Sequence, residues 1–183
     1  DLTTTAFDGI NCIGGEVRAI FGGGAQGPVG FSDTMQYVTF ANEGNAADFG
    51  NLVEGIREPA PIGNSTRGMY AGGNDSPANK DTIQYVTIAT LGNTTDFGNL
   101  TVARRALGAL SNSVKGVFGG GDTPTVVNTI DSMIINNGGT ATDFGDLLAT
   151  VQFNVASSNA IRGLSAGGEF VNAIEYITIA STG

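Results

Sequence analysis

Histidine and tryptophan are absent from this 183-residue chain, and cysteine occurs once. Without histidine there is no Ser-His-Asp or Cys-His machinery and no imidazole ligand for a metal. The single Cys12 cannot form an intrachain disulfide, and with no histidine to activate it the residue is expected to be a small buried hydrophobe. Charge is scarce too: Asp, Glu, Lys and Arg make up 14% of the chain, against a usual quarter. The 8 basic residues face 17 acidic ones, a net charge of −9. That balance argues against nucleic-acid binding through phosphates and against an anionic membrane surface. No apolar run approaches the ~20 residues of a membrane-spanning helix, so no membrane insertion is expected. The first residues, from Asp1, do not read as a signal peptide.

What the chain has in excess is glycine, 29 residues, more than twice the usual share. The glycines are periodic. Asp-Phe-Gly occurs at Asp48-Phe49-Gly50, Asp96-Phe97-Gly98 and Asp143-Phe144-Gly145. A basic residue, a short stretch and a glycine cluster recur four times, from Arg18, Arg67, Lys115 and Arg162 to the clusters holding Gly23, Gly72, Gly120 and Gly167. An alternating segment opens at Met35, Ile83, Ile130 and Ile174. From that opening to the Asp of the next Asp-Phe-Gly is 13 positions each time, and from that Asp to Arg67, Lys115 or Arg162 it is 19. From the basic residue to the next opening it is 17, 16, 15 and 12. The length variation therefore collects in one connection, as in a stacked repeat with one variable loop.

Each unit of about 47 residues reads as four strands: a stretch of the 102–110 type, one like 115–118 ending in glycines, the alternating 83–88 type, and a short strand after an Asp-Phe-Gly turn, near Leu100 and Leu147. No segment has a capped helical period. Four short strands per 40–50 residues predict an all-β fold, a β-propeller of four-stranded blades. The blades are expected at about 1–50, 51–98, 99–145 and 146–183. Gly183 aligns with Gly92 and Gly139 just before the Asp-Phe-Gly turn, and Asp1 aligns with Asn99 and Asp146 just after it. Two expectations follow: four blades that close by themselves, or nearly four blades of a longer propeller of five to eight, its parent continuing with Asn-x-Thr-Asp-Phe-Gly.

A strand ending in Gly72-Gly73 or Gly167-Gly168, followed by a strand bearing Tyr85 or Tyr176, resembles the kelch repeat. The usual tryptophan is missing, and the first-strand arginine is matched at Arg57 and Arg105, with Gln152 in the third place. The wording of the units also resembles repeats in virion proteins of marine tailed phages, especially cyanophages. Thr94-x-Asp96-x-Gly98 resembles the Asp-box of sialidase-like propellers, with Ala46 and Ala141 replacing the hydroxyl residue elsewhere. In that family the box is a structural hairpin. Locally, an Asp carboxylate can accept amides of its own turn while glycine supplies a positive φ.

Asp48, Gly50, Asp96, Gly98, Asp143, Gly145, Gly23, Gly72, Gly120 and Gly167 are thus expected to be structural, those of the glycine clusters (Gly23, Gly72, Gly120 and Gly167) through close strand packing near the axis. No phosphate-cradle motif follows them. One Asp per blade does not supply the six to eight oxygens calcium takes. Asp75, Asp81 and Asp122 in the variable loops are better placed, yet no metal or cofactor is expected. Arg18, Arg67, Lys115 and Arg162 could form an anion-binding ring or pair with a neighbouring turn Asp. The expected partner-binding residues lie in the variable loops: Gln26, exposed Phe31, Asn79, Lys80, Asp122 and Phe170. By the phage resemblance the chain is a non-enzymatic component of a virus particle, a tail fibre, tail-associated or decoration propeller at the virion surface. Its expected partners are other virion proteins, further copies of itself, and a host-surface glycan or receptor. The other reading is a secreted carbohydrate-binding or carbohydrate-active propeller.

Overall fold

Backbone chemistry sets the shape of each repeat. In a computed structural model, which describes residues 1–2, 8–27, 30–169 and 171–180, the repeats fold into successive antiparallel sheets. The first holds β1 (Asn11–Gly14), β2 (Arg18–Gly22), β3 (Thr34–Thr39) and β4 (Ala47–Asn51). The second holds β5 (Ala60–Gly63), β6 (Arg67–Ala71), β7 (Thr82–Thr87) and β8 (Thr95–Asn99). The third holds β9 (Gly108–Ser111), β10 (Lys115–Gly119), β11 (Thr129–Ile134) and β12 (Thr142–Asp146). The fourth, among the described residues, has three strands: β13 (Val155–Ser158), β14 (Arg162–Ala166) and β15 (Ile174–Thr178). Each sheet is a meander, and the chain is an all-β array of propeller blades.

Turn chemistry explains the first hairpins. The Asn112 Oδ1 atom accepts the amides of Val114 and Lys115, 2.9 and 2.7 Å, closing a tight Asx turn between β9 and β10. Asn64 and Asn159 repeat this. The first strands are shorter than expected, because residues 102–107 are a linker rather than strand. The Asp-Phe-Gly units also differ from the expectation: they lie within the outer strands, not in a turn before them. The register slips by one between Ile83 and Gln84, opposite Gly98. Gly98 has φ +150°, and a Cβ there would lie 2.3 Å from the Gly139 carbonyl oxygen. The Asp96 carboxylate accepts the Gly98 amide at 3.1 Å, fixing the bulge.

The first strands β1, β5, β9 and β13 lie side by side in that order, so they form the inner edge of the array. The core sits between blades rather than within them. Call the side of a blade facing its successor trailing and the other leading. Ile13, Ile20, Met35 and Phe49 on the first trailing face pack with Tyr70, Val86 and Ile88 on the second leading face. Ile62, Met69, Ile83 and Phe97 meet Phe118, Met133 and Ile135 in the same way. Leu110, Val117, Ile130 and Phe144 meet Ile179. In all three a glycine of the second strand leaves room for an aliphatic residue of the previous blade: Gly68 for Ile13, Gly116 for Ile62, Gly163 for Leu110.

The glycine pairs pack closely, as expected, but against the linker that leads to the next blade. The Gly73 amide donates to the Arg104 carbonyl at 3.0 Å, as Gly24 does to Ile56 and Gly121 to Val151. At Gly72, φ is +65° and a Cβ would lie 2.4 Å from the Arg104 carbonyl oxygen. Gly72→Ala is therefore expected to cost about 2–4 kcal/mol. Gly138→Ala, where nothing lies within 4 Å, is expected to change stability by less than about 0.5 kcal/mol. Urea denaturation of the two variants checks the contrast.

Candidate functional site

Three connections converge between the second and third blades: the variable loops at 74–79 and 122–128 and the linker at 103–105. The loops are braced by main-chain bridges. Arg57 and Asn74 exchange amide–carbonyl bonds at 3.0 Å each, and Arg105 and Asp122 do so at 3.1 and 2.9 Å. Side chains then join the two loops. Asn79 donates from Nδ2 to the Asp122 carbonyl at 2.8 Å, and Asn74 Nδ2 donates to Asn79 Oδ1 at 2.9 Å. The Arg105 guanidinium spans Asp122 Oδ2 (3.1 Å) and Glu58 Oε2 (3.2 Å). Between these groups lies a cleft of about 570 Å³, lined among others by Arg57, Asn74, Asn79, Arg105, Asp122 and Pro124.

Arg57 is the cleft's least committed cation. Its guanidinium stacks on the Phe31 ring, 5.4 Å from the centroid, and meets Glu58 only at 3.8 Å. Its Nε is buried with no hydrogen-bond partner. A stacked guanidinium with spare donors, amide groups and a proline face can take a polar ligand with oxygen acceptors.

Of the residues expected to contact a partner, Asn79 and Asp122 line this cleft, but as bracing groups. Lys80 does not. Its ammonium is held by Asp75 at 2.7 Å and Glu54 at 2.8 Å, hydrogen bonds that raise its pKa above the ordinary lysine value. Gln26 and Phe31 belong to the first blade's loop. Phe31 is half-buried rather than exposed, because it carries Arg57 on its face. Phe170 lies outside the described residues. Asp75 pairs with Lys80 and Asp122 with Arg105, and no group of three metal-ligating side chains occurs among the described residues.

The basic residues at the strand openings stack on aromatic rings rather than pair with the Asp-Phe-Gly carboxylates. Arg18 stacks on Tyr37 (4.7 Å), Arg67 on Tyr85 (4.8 Å), Lys115 on Phe144 (4.8 Å) and Arg162 on Tyr176 (5.1 Å). Among the described residues none of them forms an ion pair with Asp48, Asp96 or Asp143. Those carboxylates are engaged by the amides of Gly50, Gly98 and Gly145. Cys12 also departs from expectation. It is exposed, because it lies on the leading face of the first blade, which no other blade covers among the described residues.

Sequence reasoning missed Arg104, which is fully buried and paired with fully buried Asp131 at 2.9 Å. Arg104 also donates to the carbonyls of Gly120 (3.0 Å) and Thr129 (2.7 Å), and Asp131 accepts the Thr101 amide and hydroxyl. Burial lowers the Arg104 pKa against the opposing pull of Asp131. The pair fixes the linker that carries Arg105 to the cleft. The available signal was positional: Asp131 stands where other units have Gln36, Gln84 and Glu175.

No protein-family model matches this sequence, and no curated protein is significantly similar to it.

The blade pair before it supplies a control for the buried ion pair. There Ile56 replaces Arg104, and Gln84 replaces Asp131 while still accepting the Val53 amide at 2.8 Å. Arg104→Ala leaves a buried carboxylate without its counter-charge and is expected to cost about 3–5 kcal/mol. The double variant Arg104→Ile, Asp131→Gln is expected to lie within about 1 kcal/mol of the parent. Thermal denaturation of both checks this.

Proposed function

We propose that the chain is a non-enzymatic binding and assembly module that presents its variable loops to a partner. The cleft between loops 74–79 and 122–128 is the contact site. One observation carries the reading: the connection that absorbs the repeat's length variation is also the one that walls the cleft. A rigid frame with changeable loops is the usual arrangement of a recognition surface. The chemistry of the wall favours a polyhydroxylated ligand, with Arg57 for hydroxyl oxygens and Pro77 and Pro124 for an apolar sugar face. The kelch-like units and their likeness to phage virion repeats support placing the module on a virus particle, in a tail fibre, a tail-associated part or a capsid decoration. There it would bind a host-surface glycan.

A glycan array followed by titration calorimetry tests this. Arg57→Ala and Pro124→Trp are each expected to weaken the captured glycan about tenfold or more, which is ~1.4 kcal/mol, with an unchanged melting temperature. An empty array, together with absence of the chain from purified particles by mass spectrometry, would overturn the proposal. Hydrolysis of the captured glycan would show the secreted carbohydrate-active alternative instead.

A further inference from the structure

The cleft repeats a polar contact of the later blades with one half left out. Arg57, Arg105 and Gln152 hold the same place in successive linkers. Each is tied through its main chain to the residue that follows its own blade's glycine cluster: Asn74, Asp122 and Glu169. In the third and fourth blades that residue is acidic and takes the donors of the linker side chain. Asp122 Oδ2 accepts from Arg105 Nε at 3.2 Å and from Nη2 at 3.1 Å, and the Glu169 carboxylate accepts from Gln152 Nε2. Arg105 has a second acid, Glu58 Oε2 at 3.2 Å. Glu58 is the residue of the previous blade whose carbonyl accepts the Ala106 amide.

Around Arg57 both acids are replaced. Asn74 stands where Asp122 does, and its carboxamide is spent on the Ser76 amide and on Asn79, 2.9 Å each. Gly9, whose carbonyl accepts the Glu58 amide at 3.1 Å, stands where Glu58 does and has no side chain. Among the described residues the Arg57 guanidinium therefore makes no hydrogen bond, and its side chain is 30% exposed. We infer that the missing partner comes with the ligand: the cleft takes a sugar that carries a carboxylate, and Arg57 holds that carboxylate as Arg105 holds Asp122. This rests on the cleft being the glycan site proposed above.

A carboxylate meets a guanidinium fork with two parallel N–H···O bonds, which a hydroxyl does not. The Arg57 Nε is buried, so its two Nη nitrogens present the fork to the cleft. Phe31 supports the guanidinium from one face, so little side-chain freedom is lost on binding. A single negative charge suits the site. The Glu58 carboxylate lies 3.8 Å from Arg57 and Asp122 lines the cleft, and both repel a doubly charged phosphate group more strongly than a carboxylate.

The test is an array in which uronate-bearing oligosaccharides stand beside their carboxyl-reduced forms, the same chains with a hydroxymethyl group in place of each carboxylate. Sulfated and phosphorylated neutral sugars complete it. Calorimetry then measures both members of a pair that binds. The uronate-bearing member is expected to bind about 30-fold or more tightly than its reduced form. Arg57→Gln is expected to bring that ratio near one. So is Asn74→Asp, which gives Arg57 the partner that Arg105 has in Asp122. A merely structural loss would weaken both members alike and leave the ratio unchanged. Circular dichroism checks folding. If Asn74→Asp unfolds the loop, Arg57→Gln decides alone, because that side chain has no hydrogen bond within the protein to lose. Capture of reduced, sulfated or phosphorylated sugars in preference to uronates overturns the inference and leaves the glycan reading standing. A ratio that Arg57→Gln does not change does the same. An array that captures nothing overturns both.

Discussion

Everything in this array hangs on where the linker between blades is tied down. A linker has no ladder of its own, so its amides and carbonyls need partners elsewhere. Each is held at two points. A glycine pair of the preceding blade donates to its carbonyl, at Ile56, Arg104 and Val151. A polar side chain on the third strand of the following blade accepts one of its amides: Gln84 from Val53, Asp131 from Thr101, Glu175 from Leu148. With both points fixed, the next inner strand has one place to start and the apolar faces meet in register.

The second tie need not be charged, as Gln84 shows. Where the chain uses Asp131 it must also bury Arg104, and the two are stable only together. The ion pair sits beneath the most developed loop cleft, where the linker turns outward to present Arg105. Its role is to hold a direction of the main chain, and the hydrogen bonds from Arg104 to two carbonyls of the third blade do that.

Much of the architecture was legible in the sequence because repetition averages out local ambiguity. Three copies of Asp-Phe-Gly, each 13 positions after a strand opening, identified the units, and the alternation at 83–88 identified a strand. The place of Asp-Phe-Gly within the outer strand was not legible. A bulge depends on the facing strand and on the neighbouring blade's Gly139 carbonyl, both remote in sequence. The basic residues were misread for a related reason. Their aromatic partners come from other strands of the same blade, and a charge count does not reveal a ring face. In the cleft, the loops were legible as the variable part. The roles of their side chains were not, because Asn79 is spent joining one loop to the next, Lys80 on Asp75 and Glu54, and Asp122 on Arg105.

The docking at Gly72 joins main chain to main chain. Such a contact reads no side chain on its far side, so the linker's residues can drift without loosening it. An in-frame duplication of one coding unit would therefore add a blade whose anchor points already fit its neighbours. On these contacts the number of blades is set by how many units the coding sequence holds, and not by a residue that any one unit carries.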